Sequence, residues 1–180
     1  MDGNLDRQGR PIPDSYWVRP GRLLAGEYPG SRSDEKAQQK LRQLLEAGVT
    51  FFLDLTEVEE GLKPYALLLQ EEAASLDRSV VHRRTPIRDG GIPTPAEMTH
   101  ILGTTDAALE EGHTVYVHCW GGVGRTGTVI GCYMVRHGMS GEEALAEIAC
   151  LREGTPDGWR RAPETDVQHQ MVRNWPGGEP

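Results

Sequence analysis

The residues best suited to chemistry lie together in the segment 115–127, which reads VYVHCWGGVGRTG. A cysteine ends an apolar run of strand type, a glycine-rich loop follows, and an arginine–threonine pair opens a helix. This order predicts that Cys119 lies at a helix N-terminus, where free backbone N–H groups and the helix dipole favour bound anions. The same field favours the thiolate form of Cys119, so the segment predicts a nucleophile beside an anion site.

Arg125 follows Cys119 by six positions and closes the same loop. Its guanidinium can turn back across the loop and offer a planar fork to two oxygens of a phosphate. The segment is neither a Walker loop, which has a lysine before the Ser/Thr, nor a GxGxxG dinucleotide turn. The alternative is a buried cysteine in an ordinary strand–helix turn, which would not need the arginine.

The segment HCWGGVGRTG resembles the signature of the cysteine-dependent protein tyrosine phosphatase superfamily, and the short chain is similar to its compact dual-specificity members. The resemblance implies that Cys119 forms a phosphocysteine intermediate. It also implies that the phosphate is held by the side chain of Arg125 and by backbone amides of the loop, Trp120, Gly121, Gly122, Val123 and Gly124.

Two neighbours of the loop receive roles from the same resemblance. Thr126 would hydrogen-bond the cysteine sulfur, and His118 would orient the loop and help to keep the thiol ionised. His118 can also be an ordinary histidine at a strand end. The ring of Trp120 can stack on a substrate or pack beneath the loop, and the sequence leaves both open.

A general acid is also required, because the leaving oxygen must be protonated as its bond to phosphorus breaks. Asp89 lies thirty residues before Cys119 in the segment PIRDGGIP, whose glycines suit a loop that closes over a substrate. The segment resembles the acid loop of the superfamily, which implies that Asp89 is the acid and later the base. Alone, an Asp-Gly pair is more typical of a turn.

Several weaker candidates remain open. Glu164 and Gln168 lie where the superfamily places a water-positioning glutamine, but Glu in a first helical turn is also favoured by the helix dipole. Cys132 and Cys150 fit small buried side chains or a thiol that resolves oxidised Cys119. Three arginines near the acid loop either rim the pocket or form a solvated cluster: Arg83, Arg84 and Arg88.

The elements that position these residues follow from apolar spacing and capping signals. Strands are predicted at 16–18, 23–26, 49–55, 79–82 and 114–118, and helices at 34–47, from 64, 95–111, 126–137, 141–151 and 164–175. Alternating strands and helices indicate an α/β fold, a three-layer sandwich whose central, mostly parallel sheet is flanked by helices. One catalytic domain is predicted over 15–175, with flexible tails at 1–14 and 176–180.

Composition narrows the class of protein. The chain has 180 residues and a formal charge of −8. A net negative charge of this size repels the phosphates of nucleic acid and of an anionic membrane, so a protein that coats either is not expected. Its start has no basic and apolar leader, and its three cysteines are unlike a disulfide framework, so a cytoplasmic protein is expected. We expect a monomer that uses no cofactor and no metal and makes no integral membrane contact.

The function predicted from these features is hydrolysis of phosphotyrosine in proteins, with phosphoserine and phosphothreonine as further substrates. A small phosphorylated metabolite or a phosphoinositide is the alternative substrate. Lipid-directed members of the superfamily tend to carry lysines inside the loop, and this loop has none between Cys119 and Arg125. A phosphate-binding module with weak or no catalysis is the contrasting class, although no catalytic residue is missing. A cysteine-based reductase would need a well-placed second thiol.

Overall fold

The computed structural model describes residues 9–178 and places five strands in one sheet at the centre of the molecule. In chain order the strands are β1 (Ser15–Arg19), β2 (Leu23–Gly26), β3 (Phe51–Asp54), β4 (Val81–Arg84) and β5 (Val115–His118). The spatial order is β1-β2-β5-β3-β4. Only the β1–β2 pair is antiparallel, so the predicted, mostly parallel sheet is confirmed.

Helices cover both faces of the sheet. Phe52 and Tyr116 point to the face covered by α1 (Asp34–Glu46) and α2 (Ala66–Ser75), whereas Leu53 and Val117 point to the other face. That second face is covered by four helices, α3 (Pro95–Glu110), α4 (Gly124–Arg136), α5 (Gly141–Leu151) and α6 (Asp166–Asn174). Because strand side chains alternate, the nearly continuous apolar strands bury both faces. The predicted three-layer sandwich is confirmed.

Side-chain caps fix the starts of the helices. Thr94, Ser140 and Thr165 each accept a hydrogen bond from the third residue of the helix that follows, in complete capping boxes. The predicted helices are present, but α2 begins at Ala66 rather than 64, α4 at Gly124 rather than 126, and α6 at Asp166 rather than 164. A short 3-10 helix, Val58–Glu60, was not predicted, because three residues carry no apolar period. No helix within residues 9–178 is long and apolar enough to cross a bilayer.

The N-terminal boundary of the folded body differs from the prediction. Ile12 is buried in the core on the α1 and α2 face, and its carbonyl accepts a hydrogen bond from the hydroxyl of Ser15 at 2.7 Å. Trp17 Nε1 donates to the carbonyl of Gly9 at 2.8 Å. The predicted flexible segment 1–14 is therefore too long, because one apolar side chain in a polar stretch ties residues 9–14 to the core. Residues 1–8 and 179–180 lie outside the described part.

Helix α6 packs very closely on α4, and a glycine makes this possible. A Cβ atom on Gly131 would lie 2.6 Å from Cγ2 and 2.8 Å from Cγ1 of Val172. Real carbon atoms do not approach so closely, so any larger residue would push the two helices apart. This contact sets the position of α6, whose N-terminal end lies beside the glycine-rich loop.

Replacing this glycine should therefore destabilise the protein although alanine is the better helix former. We expect Gly131→Ala to lower the free energy of unfolding by about 1 to 3 kcal/mol. The matched control is Gly103→Ala in α3, where a Cβ meets nothing within 4 Å. That variant should gain up to about 1 kcal/mol. Urea denaturation measures both, and equal stabilisation by the two variants would contradict the packing argument.

Candidate active site

Cys119 lies directly after β5, at the carboxyl edge of the parallel sheet, and is 3% exposed. The loop that follows it packs on the end of β2. Gly122 has a φ of +71°, and a Cβ there would lie 2.4 Å from the carbonyl carbon of Gly26. Only glycine fits this position, and its lack of a side chain lets the loop backbone pack closely against the end of β2.

The backbone N–H groups of the loop are free. Within residues 9–178, the N–H groups of residues 120–126 donate to no carbonyl and to no side chain. Backbone donors near the protein interior are normally paired, so such a run of free donors is unusual. Because α4 begins at Gly124, its dipole adds positive potential at the same place. The loop therefore has the donors and the field of an anion cradle.

Arg125 is almost fully buried, with 2% of its surface exposed. Its Nη1 donates to the carbonyl of Ile87 at 3.0 Å and to that of Leu55 at 3.4 Å. Both Nη atoms also contact the carboxylate of Glu60, and Nη2–Oε2 measures 3.0 Å. None of these contacts uses Nε. The guanidinium is thus oriented by the segments that follow β3 and β4.

Glu60 is a site residue that the sequence analysis missed. It ends the 3-10 helix Val58–Glu60, and its Oε1 also accepts from the backbone N–H of Glu57 at 2.7 Å. The signal available in the sequence was the acidic pair Glu59-Glu60 before Gly61, a few residues after β3. Such a signal is weak, because acidic turns are common on protein surfaces.

The Glu60 and Arg125 charges stabilise one another. Burial raises the pKa of the Glu60 carboxyl, but the hydrogen bonds from Arg125 and Glu57 outweigh it and leave that pKa below its usual value. Burial lowers the pKa of Arg125, and the negative groups Glu60, Cys119 and Asp89 outweigh it and raise that pKa. Both groups are therefore ionised at neutral pH.

Asp89 lies where the acid loop meets the glycine-rich loop. Its Oδ1 is 3.3 Å from Nη2 of Arg125, while its side chain is 68% exposed. The structure thus brings together Cys119, Arg125 and Asp89, the three residues that the sequence analysis combined. Asp89 also lines the cavity that lies beside Trp120.

His118 is buried and neutral. Its Nδ1 faces the carbonyl of Cys119 at 3.0 Å and must be the donor, so Nε2 accepts from the hydroxyl of Tyr65 at 2.6 Å. Burial lowers the pKa of His118 to about 4, although the charge of Asp54 acts in the opposite direction. The expected orienting contact with the loop is present. That His118 helps to keep the thiol ionised stays a prediction.

Thr126 does not make its expected contact. Its hydroxyl is buried and hydrogen-bonds to no atom within residues 9–178, including the sulfur of Cys119. The predicted Thr126–Cys119 hydrogen bond is therefore wrong for this structure.

Trp120 forms part of the rim rather than the support of the loop. Its side chain is 63% exposed, so packing beneath the loop is excluded. A cavity of about 670 Å³ lies beside it, with walls that include Glu60 and Asp89. The cations in this cavity are Arg32, Lys40 and Lys63.

The arginines predicted near the acid loop do not line this cavity. Arg84 contacts the buried carboxylate of Asp54 at 3.2 Å, and Arg83 lies over the ring of Phe51 at 5.8 Å from its centroid.

Cys132 is fully buried on α4, and burial raises the pKa of its thiol to about 12. Cys132 is therefore a core residue, which agrees with the first of the two alternatives, a small buried side chain.

Glu164 and Gln168 both lie against the glycine-rich loop. A Cβ on Gly124 would be 3.1 Å from Nε2 of Gln168 and 3.2 Å from Oε2 of Glu164. Glu164 pairs with Arg160, whose Nη1 lies near Gly121. The structure thus places both residues that the sequence analysis left undecided beside the site, Gln168 fully buried and Glu164 exposed.

Comparison with known proteins agrees with this geometry. The family model described as Swiss Army Knife protein, DSP-PTPase phosphatase domain, matches residues 13–172. The chain is 32% identical over 149 residues to the dual specificity protein phosphatase CDC14AB of Danio rerio, covering 79% of this chain and 22% of that protein. It is 31% identical over 102 residues to the tyrosine-protein phosphatase CDC14 of Candida albicans, covering 54% and 18%.

A solved structure extends the comparison to nearly the whole chain. The crystal structure of Tk-PTP in the active form superimposes with a TM-score of 0.67 at 26% identity, covering 91% of this chain and 96% of that one. The chain spans about a fifth of the length of the two curated relatives. The matched family model and the shared fold together show that this chain belongs to the dual-specificity branch of the protein tyrosine phosphatases.

Proposed function

We propose that this protein is a cysteine-dependent phosphatase that hydrolyses phosphomonoesters, with phosphotyrosine in proteins as the preferred substrate. One observation carries the proposal: the free N–H groups of residues 120–126 follow Cys119 in a loop that also contains the buried, oriented Arg125. Preorganised donors of this kind stabilise the negative charge that develops on a transferring phosphoryl group.

The reaction proceeds in two displacements. The thiolate of Cys119 attacks phosphorus, the bond from phosphorus to the leaving oxygen breaks, and the Asp89 carboxyl gives its proton to that oxygen. The carboxylate of Asp89 then takes a proton from a water molecule that attacks the phosphocysteine. The sulfur–phosphorus bond breaks, inorganic phosphate leaves, and the thiolate is restored. Loop amides and Arg125 hold the equatorial oxygens in both steps.

The charges of the cavity favour a substrate with a single phosphate. Lys40 is paired with Glu27 at 3.0 Å and Lys63 with Asp34 at 2.6 Å. Among the cations that line the cavity within the described chain, this leaves Arg32 without a carboxylate partner. A substrate with several phosphates would meet little uncompensated positive charge there, and would face the carboxylates of Glu60 and Asp89. This supports phosphoprotein over phosphoinositide.

Aromatic surface at the rim supports phosphotyrosine in particular. The indole of Trp120 is exposed directly beside the nucleophile, and stacking on a phenyl ring would bury it. Phosphoserine offers no ring for this contact. We therefore infer that phosphotyrosine peptides are hydrolysed with a higher kcat/KM than matched phosphoserine peptides.

The mechanism predicts distinct defects for two variants in the presence of EDTA. Cys119→Ser should abolish hydrolysis of p-nitrophenyl phosphate, because the alcohol is a far poorer nucleophile than the thiolate. Asp89→Asn should lower kcat/KM about 100-fold or more for phenyl phosphate, which needs an acid, and much less for p-nitrophenyl phosphate, a good leaving group. Steady-state kinetics on both esters measures these effects.

Asp77→Asn is the matched control, because Asp77 is exposed in a turn after α2 where asparagine is equally suited to its φ of 53°. It should behave as wild type. A wild type that hydrolyses neither ester yet is stabilised against heat by vanadate would favour a phosphate-binding module instead.

Glu60 should matter through the orientation of Arg125. In Glu60→Gln the side chain at position 60 loses its charge and one of its two acceptor oxygens. The guanidinium of Arg125 is then no longer held at two points. We expect the Kd for vanadate to rise about 10-fold, the effect of losing one charge-assisted hydrogen bond. The control is Glu59→Gln, an exposed neighbour in the same turn. Unchanged or tighter vanadate binding in Glu60→Gln, measured by inhibition, would refute the positioning role.

His118 should stay neutral through the pH range in which the protein is folded. Its pKa of about 4 lies below the value of about 6.5 for an unfolded chain. The unfolded state therefore binds a proton first, so the stability that His118 contributes is complete above about pH 6.5 and is lost as the pH falls towards 4. Ring-nitrogen NMR shifts between pH 8 and pH 5 should not move, and titration near pH 6.5 would show that the ring is charged.

A further inference from the structure

We propose that Gln168 is a positioning residue that latches the acid loop against the phosphate loop and so holds Asp89 in place for proton transfer. The acid loop here means residues 86–93, and the phosphate loop means residues 119–125. The inference rests on the proposed role of Asp89, and it assigns Gln168 a task other than contact with the hydrolytic water.

The Gln168 amide bridges two segments of backbone. Its Oε1 accepts from the N–H groups of Glu164 and Thr165, both at 3.0 Å, at the start of α6. Its Nε2 donates to the carbonyl of Gly91 in the acid loop at 3.1 Å. Thr165 adds a longer contact from its hydroxyl to the carbonyl of Gly90 at 3.4 Å. The side chain of Gln168 is fully buried, so these bonds are shielded from water.

The acid loop has few other attachments between Ile87 and the cap of α3. Ile87 is fixed, because its N–H donates to the carbonyl of Leu55 at 3.0 Å. Beyond it, Gly91 donates back to Arg88 within the loop, and Asp89 meets Arg125 at 3.3 Å. Within residues 9–178, the contacts from Gln168 and Thr165 are therefore the hydrogen bonds that tie the glycine pair after Asp89 to another element.

Gln168 also touches the other half of the site. Its amide would lie 3.1 Å from a Cβ on Gly124, which is closer than side chains normally approach. The absence of a side chain at Gly124 thus lets Gln168 lie between the phosphate loop and the acid loop. Because α6 is fixed on α4 by the Gly131–Val172 contact, the latch is anchored to the helix that begins in the phosphate loop.

This use of the amide differs from that of a water-positioning glutamine. The Oε1 atom of Gln168 already accepts two backbone hydrogen bonds, and its Nε2 atom already donates one to a carbonyl. Turning the amide towards a substrate would therefore break a buried hydrogen bond. A latch acts on the first displacement, because it aligns the acid with the leaving oxygen, and also on the second, in which Asp89 is the base. A water-positioning residue acts on the second displacement, which follows the loss of the leaving group.

Two substitutions separate the latch from the helix cap. Gln168→Glu keeps an oxygen that accepts from the backbone N–H groups of Glu164 and Thr165 but replaces the N–H donor to Gly91 by an acceptor. Gln168→Met removes both the acceptor for the backbone N–H groups of Glu164 and Thr165 and the donor to Gly91. The matched control is Gln170→Met, a glutamine exposed on the same helix. Thermal denaturation of all three variants reports whether folding is intact.

The decisive readout is kcat/KM for esters with poor and good leaving groups, since kcat/KM covers only the steps up to phosphocysteine formation. We expect Gln168→Glu to lower it about 10-fold for phenyl phosphate and less than about 3-fold for p-nitrophenyl phosphate, from one lost buried hydrogen bond acting through the acid. Gln170→Met should match wild type on both esters. An equal loss on both esters, or a loss of kcat with kcat/KM unchanged, would overturn the latch.

A double variant tests whether Gln168 acts through Asp89. If it does, adding Gln168→Glu to Asp89→Asn should cause no further loss of kcat/KM on phenyl phosphate, because no acid remains to be aligned. Additive losses would place Gln168 in another role. Failure of the proposed function has a different signature. In that case Asp89→Asn alone would change kcat/KM with no dependence on the leaving group.

Discussion

The site is built around a positive charge that is buried and must be compensated. Arg125 lies almost wholly inside the protein, where an unpaired guanidinium would cost several kcal/mol. Its partners come from two other loops: the carboxylate of Glu60 and the carbonyl of Leu55 follow β3, and the carbonyl of Ile87 follows β4. Satisfying one charge therefore brings three loops to the same edge of the sheet.

The sheet order makes this convergence possible. β5, which ends at the nucleophile, pairs directly with β3, and β3 pairs with β4, all in parallel. The carboxyl ends of these strands therefore lie side by side, and the loops that follow them share one crevice. The phosphate loop supplies unpaired amides, the loop after β3 supplies the carboxylate that orients Arg125, and the loop after β4 supplies Asp89, the proposed acid. Helix α6 joins the loop after β4 to the phosphate loop through Gln168.

Much of this could be predicted from local sequence. Cys119 and Arg125 carry the spacing of the superfamily signature, and capping boxes at Thr94 and Ser140 mark helices that the structure confirms. The buried strands follow from apolar runs, since their residues face both layers. These features depend on neighbours within a few positions, which is what a single sequence reveals.

The features missed depend on contacts between distant segments. Glu60 meets Arg125 across 65 residues, and Gln168 meets Gly91 across 77, so neither pair has a local signal. Ile12 is one apolar residue in a polar stretch, and its burial becomes visible only when the core is assembled. The hydroxyl of Thr126 was assigned to the sulfur by resemblance, and only side-chain geometry could show that the bond is not formed.

The central claim is that Cys119 itself carries the phosphoryl group during turnover. The most direct measurement is intact-protein and peptide mass spectrometry after rapid acid quenching of the wild type mixed with excess p-nitrophenyl phosphate. The account predicts one added phosphoryl group on the peptide that contains Cys119, in an amount that falls as substrate is exhausted, and none in Cys119→Ser. Turnover with no phosphorylated cysteine at any quench time, or a phosphoryl group on another residue, would contradict it.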